Sequence, residues 1–264
     1  MSLVFAAITP HPPLLIPNIG GDEIKKVKKT QEAFAKLEEE LYLSKPQIIV
    51  IISPHGKLFS DMFTVNAFTE FKCNFKEFGD FSTTHEWKGA PDLAARVMHM
   101  ANIGHIPLQM VSGKEIDHGA GVPLHYLSAH LPEIKILPIG YSNLDTKSHL
   151  DFGKLLKEAC METDKRVALI ASGDLSHGLT TDAPAGFKKR GKEFDQKLIE
   201  LLESHNTTGV ATLDSKFVEE AAECGYRSIL ILLGALQNMD FKFKNYAYES
   251  PFGVGYLTGE FVFE

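Results

Sequence analysis

The chain is expected to fold as one α/β domain spanning residues 1–264, with a central, mostly parallel or mixed sheet flanked by helices. Three observations predict this. Residues 48–52 (Ile-Ile-Val-Ile-Ile) form a run of five β-branched apolar residues, the pattern of a strand buried on both faces. Strand-like and helix-like patterns alternate along the chain, starting with strand, helix, strand. Several of the strand-like runs also end in a histidine set between prolines or beside glycine, and the carboxyl ends of parallel strands are where open α/β sheets place ligands.

Residues 3–8 form the first short apolar strand, which stops at Thr9-Pro10-His11-Pro12-Pro13 because proline cannot donate to a ladder. Residues 22–43 read as a helix, with Ile24, Val27, Phe34, Leu37 and Leu41 near one stripe and Asp22 placed to cap it. Strand 48–52 follows and delivers His55 through Ser53-Pro54-His55-Gly56. Residues 62–68 and 71–81 alternate loosely between apolar and polar, as strands wetted on one face do. A helix opens at Pro91, runs to 103 and closes at Gly104. Strand 106–111 leads into a glycine-rich loop over 113–124 that carries His118. A strand at 134–139 and a helix at 150–161 precede the buried strand 167–171, which ends in Ser172-Gly173-Asp174-Leu175-Ser176-His177-Gly178. Helices are expected over 184–204 and 214–237, and closing strands over 241–247 and 254–263. No internal repeat, low-complexity tract or linker divides the chain.

Composition narrows the function classes. Hydrophobic residues make up 44% of the chain and charged residues 23%, which suits a globular core. The formal net charge is −7, and the basic pairs Lys25-Lys26 and Lys28-Lys29 share a helix-like segment with glutamates, so nucleic-acid binding is not expected. The cysteines Cys73, Cys160 and Cys224 are widely spaced and form no CxxC pair, which argues against a disulfide framework or structural zinc site. No secretory signal or membrane-length apolar run is apparent, so a soluble cytoplasmic protein is expected, with no membrane partner.

Four of the eleven histidines, His11, His55, His118 and His177, sit in glycine- or proline-bounded loops. The other seven lie in helix-like or polar segments and read as structural or solvated. A lone histidine at a strand end more often caps a turn, but here the pattern recurs. Two imidazoles from neighbouring strand ends can bind a first-row metal. A third nitrogen or sulfur donor would suit Zn²⁺, whereas a carboxylate would complete the triad of oxygen-activating Fe(II) sites. Ser176 lacks the Gly-x-Ser-x-Gly setting of a serine hydrolase nucleophile.

Taken in order, five blocks carry a resemblance over nearly the whole chain. They are Thr9-Pro10-His11-Pro12-Pro13, Ser53-Pro54-His55-Gly56, Asp117-His118-Gly119-Ala120-Gly121-Val122-Pro123-Leu124, Ser172 to Gly178 followed by Lys192-Glu193-Phe194-Asp195, and Glu223-Cys224-Gly225 leading into an apolar helix. The chain resembles the catalytic subunit of class III extradiol ring-cleaving dioxygenases, the LigB type, a superfamily that also includes Memo-like proteins. The resemblance implies a metal held by His11, His55 and Glu223, with His118 and His177 lining the substrate pocket. His177 would serve as acid and base, and His118 would hydrogen-bond substrate or oxygen. In Memo-like proteins a cysteine of a Cys-Gly segment takes the third metal position, so Cys224 stands beside Glu223 as a candidate, and Glu249 is held in reserve. The implied cofactor is Fe(II), with Zn²⁺ or another divalent ion as the alternative. The implied partners are O₂ and a small catechol-like or aminophenol-like ring, and a homo-oligomer is compatible. The alternative function is a non-catalytic, Memo-like protein that binds metal or peptide in the same cleft.

Overall fold

The computed structural model describes residues 2–264 and contains a single mixed sheet of ten strands with helices on both faces. The strands are β1 (Leu3–Thr9), β2 (Ile48–Ser53), β3 (Phe63–Asn66), β4 (Glu70–Phe75), β5 (Asp80–Gly89), β6 (Leu108–Val111), β7 (Lys135–Gly140), β8 (Val167–Ser172), β9 (Phe241–Glu249) and β10 (Tyr256–Phe263). The main order is β4-β5-β7-β2-β8-β1-β10-β9, and β3 joins off this path, between β7 and β6. At its centre, β7, β2, β8 and β1 are all parallel, in a register that aligns Ser53 with Gly140 and Thr9 with Ser172. The carboxyl ends of these four strands therefore share one edge of the sheet, and the segments that follow them face a common space.

The run at 48–52 is buried on both faces, as its composition requires. Ile48, Val50 and Ile52 pack into one core with Phe152, Leu155 and Ile231. Ile49 and Ile51 point the other way, into a core with Phe34, Leu37, Leu41 and Leu124. Each such side chain contributes about 1.5–3 kcal/mol by leaving water. Ile51 is fully buried, so Ile51→Ala is expected to lower unfolding stability by about 2–5 kcal/mol, read from the urea midpoint at unchanged slope.

Several expected elements are moved or divided. The helix expected over 184–204 starts only at Gly191, because 178–190 turns back through Gly186, whose φ of 65° breaks helical geometry. The helix expected over 214–237 is two, Ser215–Ala221 and Tyr226–Ala235, parted where Ala222 adopts φ 52° and residues 223–225 cross the strand ends. The glycine-rich stretch expected as a loop is largely the helix His118–Leu127, capped by Asp117, whose side chain accepts Ala120 N–H. The first long helix begins at Lys28 rather than Asp22, after a 3₁₀ stretch, Gly21–Val27. Residues 80–89, only the first two of which were expected as strand, form the ten-residue β5.

Candidate metal centre

His11 follows β1 and His55 follows β2, on either side of the end of β8, which lies between them. Their Nε2 atoms face each other at 3.0 Å. The ring of His118, first residue of its helix, stacks on His55 with centroids 4.4 Å apart and meets His11 edge-on at 5.6 Å. One ring nitrogen from each of His11, His55 and His118 lies within 4.8 Å of the others, the one such cluster of three or more possible donors among the described residues.

These residues fit a metal ion. Two imidazole nitrogens each about 2.0–2.1 Å from one ion, at a right angle, stand about 3 Å apart, which matches the His11–His55 separation. Burial, followed by the neighbouring imidazoles, pushes His11 well below the ordinary histidine range, and His55 is lowered by the same kind of causes. Both rings are thus neutral near pH 7, the form that binds metal.

Backbone and side chains around the cluster hold it in place. The Ser53 hydroxyl donates to Asp117 Oδ1, and His55 N–H donates to Ser53 Oγ at 3.3 Å. The turn after β2 is thereby tied to the helix that carries His118. Asp174, just past β8, accepts His11 N–H at 2.9 Å and is buried, which pushes its carboxyl above the ordinary range. His118 Nδ1 lies 3.5 Å from Glu77 Oε1, with Phe78 edge-on to its ring. A cavity of ≈ 930 Å³ opens on His55 and His118, lined also by Lys57, Asn66, Glu77 and the end of β7.

His177 is not part of the three-histidine cluster. Its Nδ1–H donates to Ala222 O at 2.9 Å, which leaves the Nε2 lone pair available, and the ring is near enough to depress the protonation of His11 and His55. It borders a smaller cavity with Ala222 and Glu223.

The neighbours Glu223 and Cys224 diverge. Glu223 accepts Tyr226 N–H at 2.5 Å, at the start of the apolar helix, and lines a cavity with Arg227 and His149. Removal from water pushes its carboxyl up to about 7, against the opposing pull of Tyr226 N–H and Arg227. Cys224 turns the other way, with Sγ 3.7 Å from His11 Nε2. Burial, then the Asp174 and Glu223 carboxylates, raise the thiol well above its ordinary value. This placement depends on Gly173, where a Cβ would come within 2.1 Å of Gly225 Cα. The bare backbones let Cys224 and Gly225 donate their N–H groups to Asp174 O at 3.2 and 3.0 Å. Glu249, the reserve donor, accepts Thr30 N–H and Oγ1–H at 2.7 and 2.6 Å, at the start of the helix Lys28–Ser44.

Sequence reasoning passed over Ser53 and Ser172, although each carries a readable signal. Each is the polar last residue of an otherwise apolar, fully buried strand.

A family model described as the catalytic LigB subunit of aromatic ring-opening dioxygenase matches residues 5–259. Protein CA_C1420 of Clostridium acetobutylicum is 34% identical over 265 residues, covering 97% of this chain, which spans 57% of that protein's length. A MEMO1 family protein of Methanosarcina mazei is 23% identical over 217 residues, covering 76% of this chain and 78% of its own. A 4,5-DOPA dioxygenase extradiol of Mirabilis jalapa is 27% identical over 190 residues, covering 68% of this chain and 67% of its own. Among solved structures, the uncharacterized protein JW3007 of Escherichia coli K12 shares the fold, with a TM-score of 0.67 at 18% identity over 97% of this chain and 99% of that one. No helix among the described residues is long and apolar enough to cross a membrane.

Proposed function

The chain belongs to the LigB family, and from that premise we propose that it is a metal-dependent dioxygenase of the extradiol type. Its substrate would be a catechol-like or aminophenol-like ring, opened with O₂. The observation that carries this reading is the convergence of His11, His55 and His118, two of which, His55 and His118, line a ≈ 930 Å³ cavity. His11 and His55 would hold the ion, with a third donor from the pair Glu223-Cys224. Fe(II) bound there would supply Lewis acidity to the two adjacent ring heteroatoms and electrons to O₂.

The surrounding residues do the rest. His177, with Nδ1–H fixed on Ala222 O, presents Nε2 as the base for a ring hydroxyl and later returns the proton. His118 donates a hydrogen bond to the substrate or to oxygen, its own imidazole held between His55 and Phe78. Anaerobic loading with Fe(II), then air and a panel of catechols and aminophenols, should give a yellow ring-opened product with matching oxygen uptake. Full metal loading without product or uptake from any member of the panel would reject ring opening.

A second reading is favoured by one specific observation, that the Cys224 thiol rather than the Glu223 carboxylate faces His11. In it the chain is Memo-like and binds metal without opening rings. Proton release identifies the third donor. The Cys224 thiol is protonated at pH 7, so thiolate ligation should release about one proton per ion, with affinity rising about tenfold per pH unit between pH 6 and 8. Ligation by Glu223, already near half-ionised at pH 7, should release only about half a proton, with affinity levelling off above pH 7. Titration of Zn²⁺ in two buffers of different ionisation enthalpy measures this. Cys224→Ala and Glu223→Gln complete the test, since only the true donor's variant should lose the ion.

A further inference from the structure

Pro123 lies inside the helix His118–Leu127. Proline has no N–H, so the carbonyl four residues earlier, that of Gly119, loses its helical donor. The Ser172 hydroxyl takes that place, donating to Gly119 O at 2.5 Å. Ser172 also lies 2.9 Å from His11 Nδ1. The hydroxyl has one proton, and it is committed to the carbonyl, so towards His11 the oxygen can only accept. His11 Nδ1 must then carry the ring's proton, and Nε2 is left with a bare lone pair. That Nε2 faces His55 Nε2 at 3.0 Å and Cys224 Sγ at 3.7 Å. Ser172 and His11 are 0% and 2% exposed, so water does not compete for these bonds.

We propose that Pro123 and Ser172 are positioning residues that fix the tautomer of His11, so that its Nε2 is presented to the metal before the ion arrives. Pro123 acts by vacating the Gly119 carbonyl, and Ser172 acts by spending its proton there. The relay also joins the end of β8 to the helix carrying His118, and so aligns two of the three imidazoles through one oxygen atom. This inference rests on the proposed role of His11 as a metal ligand and adds what orients it.

The test measures Zn²⁺ affinity by competition with a chromophoric chelator, together with the ¹⁵N resonances of His11. Metal-free and zinc-loaded wild type should both show Nδ1 protonated, with zinc on Nε2. Ser172→Ala should weaken zinc binding by about 10–100-fold, as expected when the outer partner of a ligating histidine is lost. Ser172→Thr, which keeps the hydroxyl, should restore most of the affinity. Pro123→Ala restores an N–H that competes for Gly119 O and should give a smaller loss in the same direction. Wild-type affinity in Ser172→Ala, or zinc on His11 Nδ1, would overturn the proposal, and wild-type affinity in Pro123→Ala would overturn the part given to Pro123. If Ser172→Ala fails to fold, the wild-type resonances and Ser172→Thr still decide. Retention of zinc by His11→Ala would instead reject the metal site itself, so the two failures are distinguishable.

Discussion

Protein loaded with Fe(II) or Zn²⁺ and stripped of excess ion should carry about one ion per chain, and His55→Ala should carry almost none. The expectation follows from the 3.0 Å approach of the two Nε2 atoms. Neither imidazole alone makes a site, and losing a donor should cost more than the about 10–100-fold attached to an outer hydrogen-bond partner. His55 is exposed at its turn, and its side chain belongs to neither apolar core. The metal-free variant should therefore still unfold in one cooperative transition, with only the contacts to His11 and His118 lost. Elemental analysis beside a thermal melt reads both. Full metal occupancy in His55→Ala would remove this residue from the centre.

His177→Ala should separate binding from catalysis. The ring stands beside the cluster but outside it, with Nδ1 committed to Ala222 O. The variant is expected to keep its ion and its fold, and to bind a catechol anaerobically. Turnover should fall by about a hundredfold or more, the scale of a lost general acid–base group. Single-turnover oxygen uptake, with metal content measured on the same sample, is the check. Loss of the ion would make His177 a ligand. Unchanged turnover would make it a bystander and favour the reading without ring opening.

The centre of the fold was legible because burial on both faces leaves a direct trace in the chain. The run 48–52 could be little else than an inner strand, and the residues after it had to emerge at the sheet's edge. The position of His11 and His55 followed from the same logic. The helix at 118–127 was hidden because Gly119, Gly121 and Pro123 all disfavour helix locally. Tertiary bonds compensate there, among them one from a serine 53 residues away. The different directions taken by Glu223 and Cys224 were equally unreadable. They depend on the backbone of Gly173 touching that of Gly225, a contact between distant segments that no local pattern records.

The pairing of β1 has a consequence for how the protein is made. Its neighbours are β8 and β10, each more than 150 residues further along. While a ribosome is still adding the middle of the chain, the first strand has no ladder to join, and His11 has neither Ser172 nor Asp174 beside it. Such long-range pairing slows folding, since the closure of a long loop precedes any reward. β2, which precedes His55, can pair early with β7, but the complete set of proposed donors comes together only after the second half has left the tunnel. Capture of an ion at the proposed centre would therefore be a late event in biogenesis, and the apolar β1 spends that interval without its sheet partners, a segment for chaperones to shield.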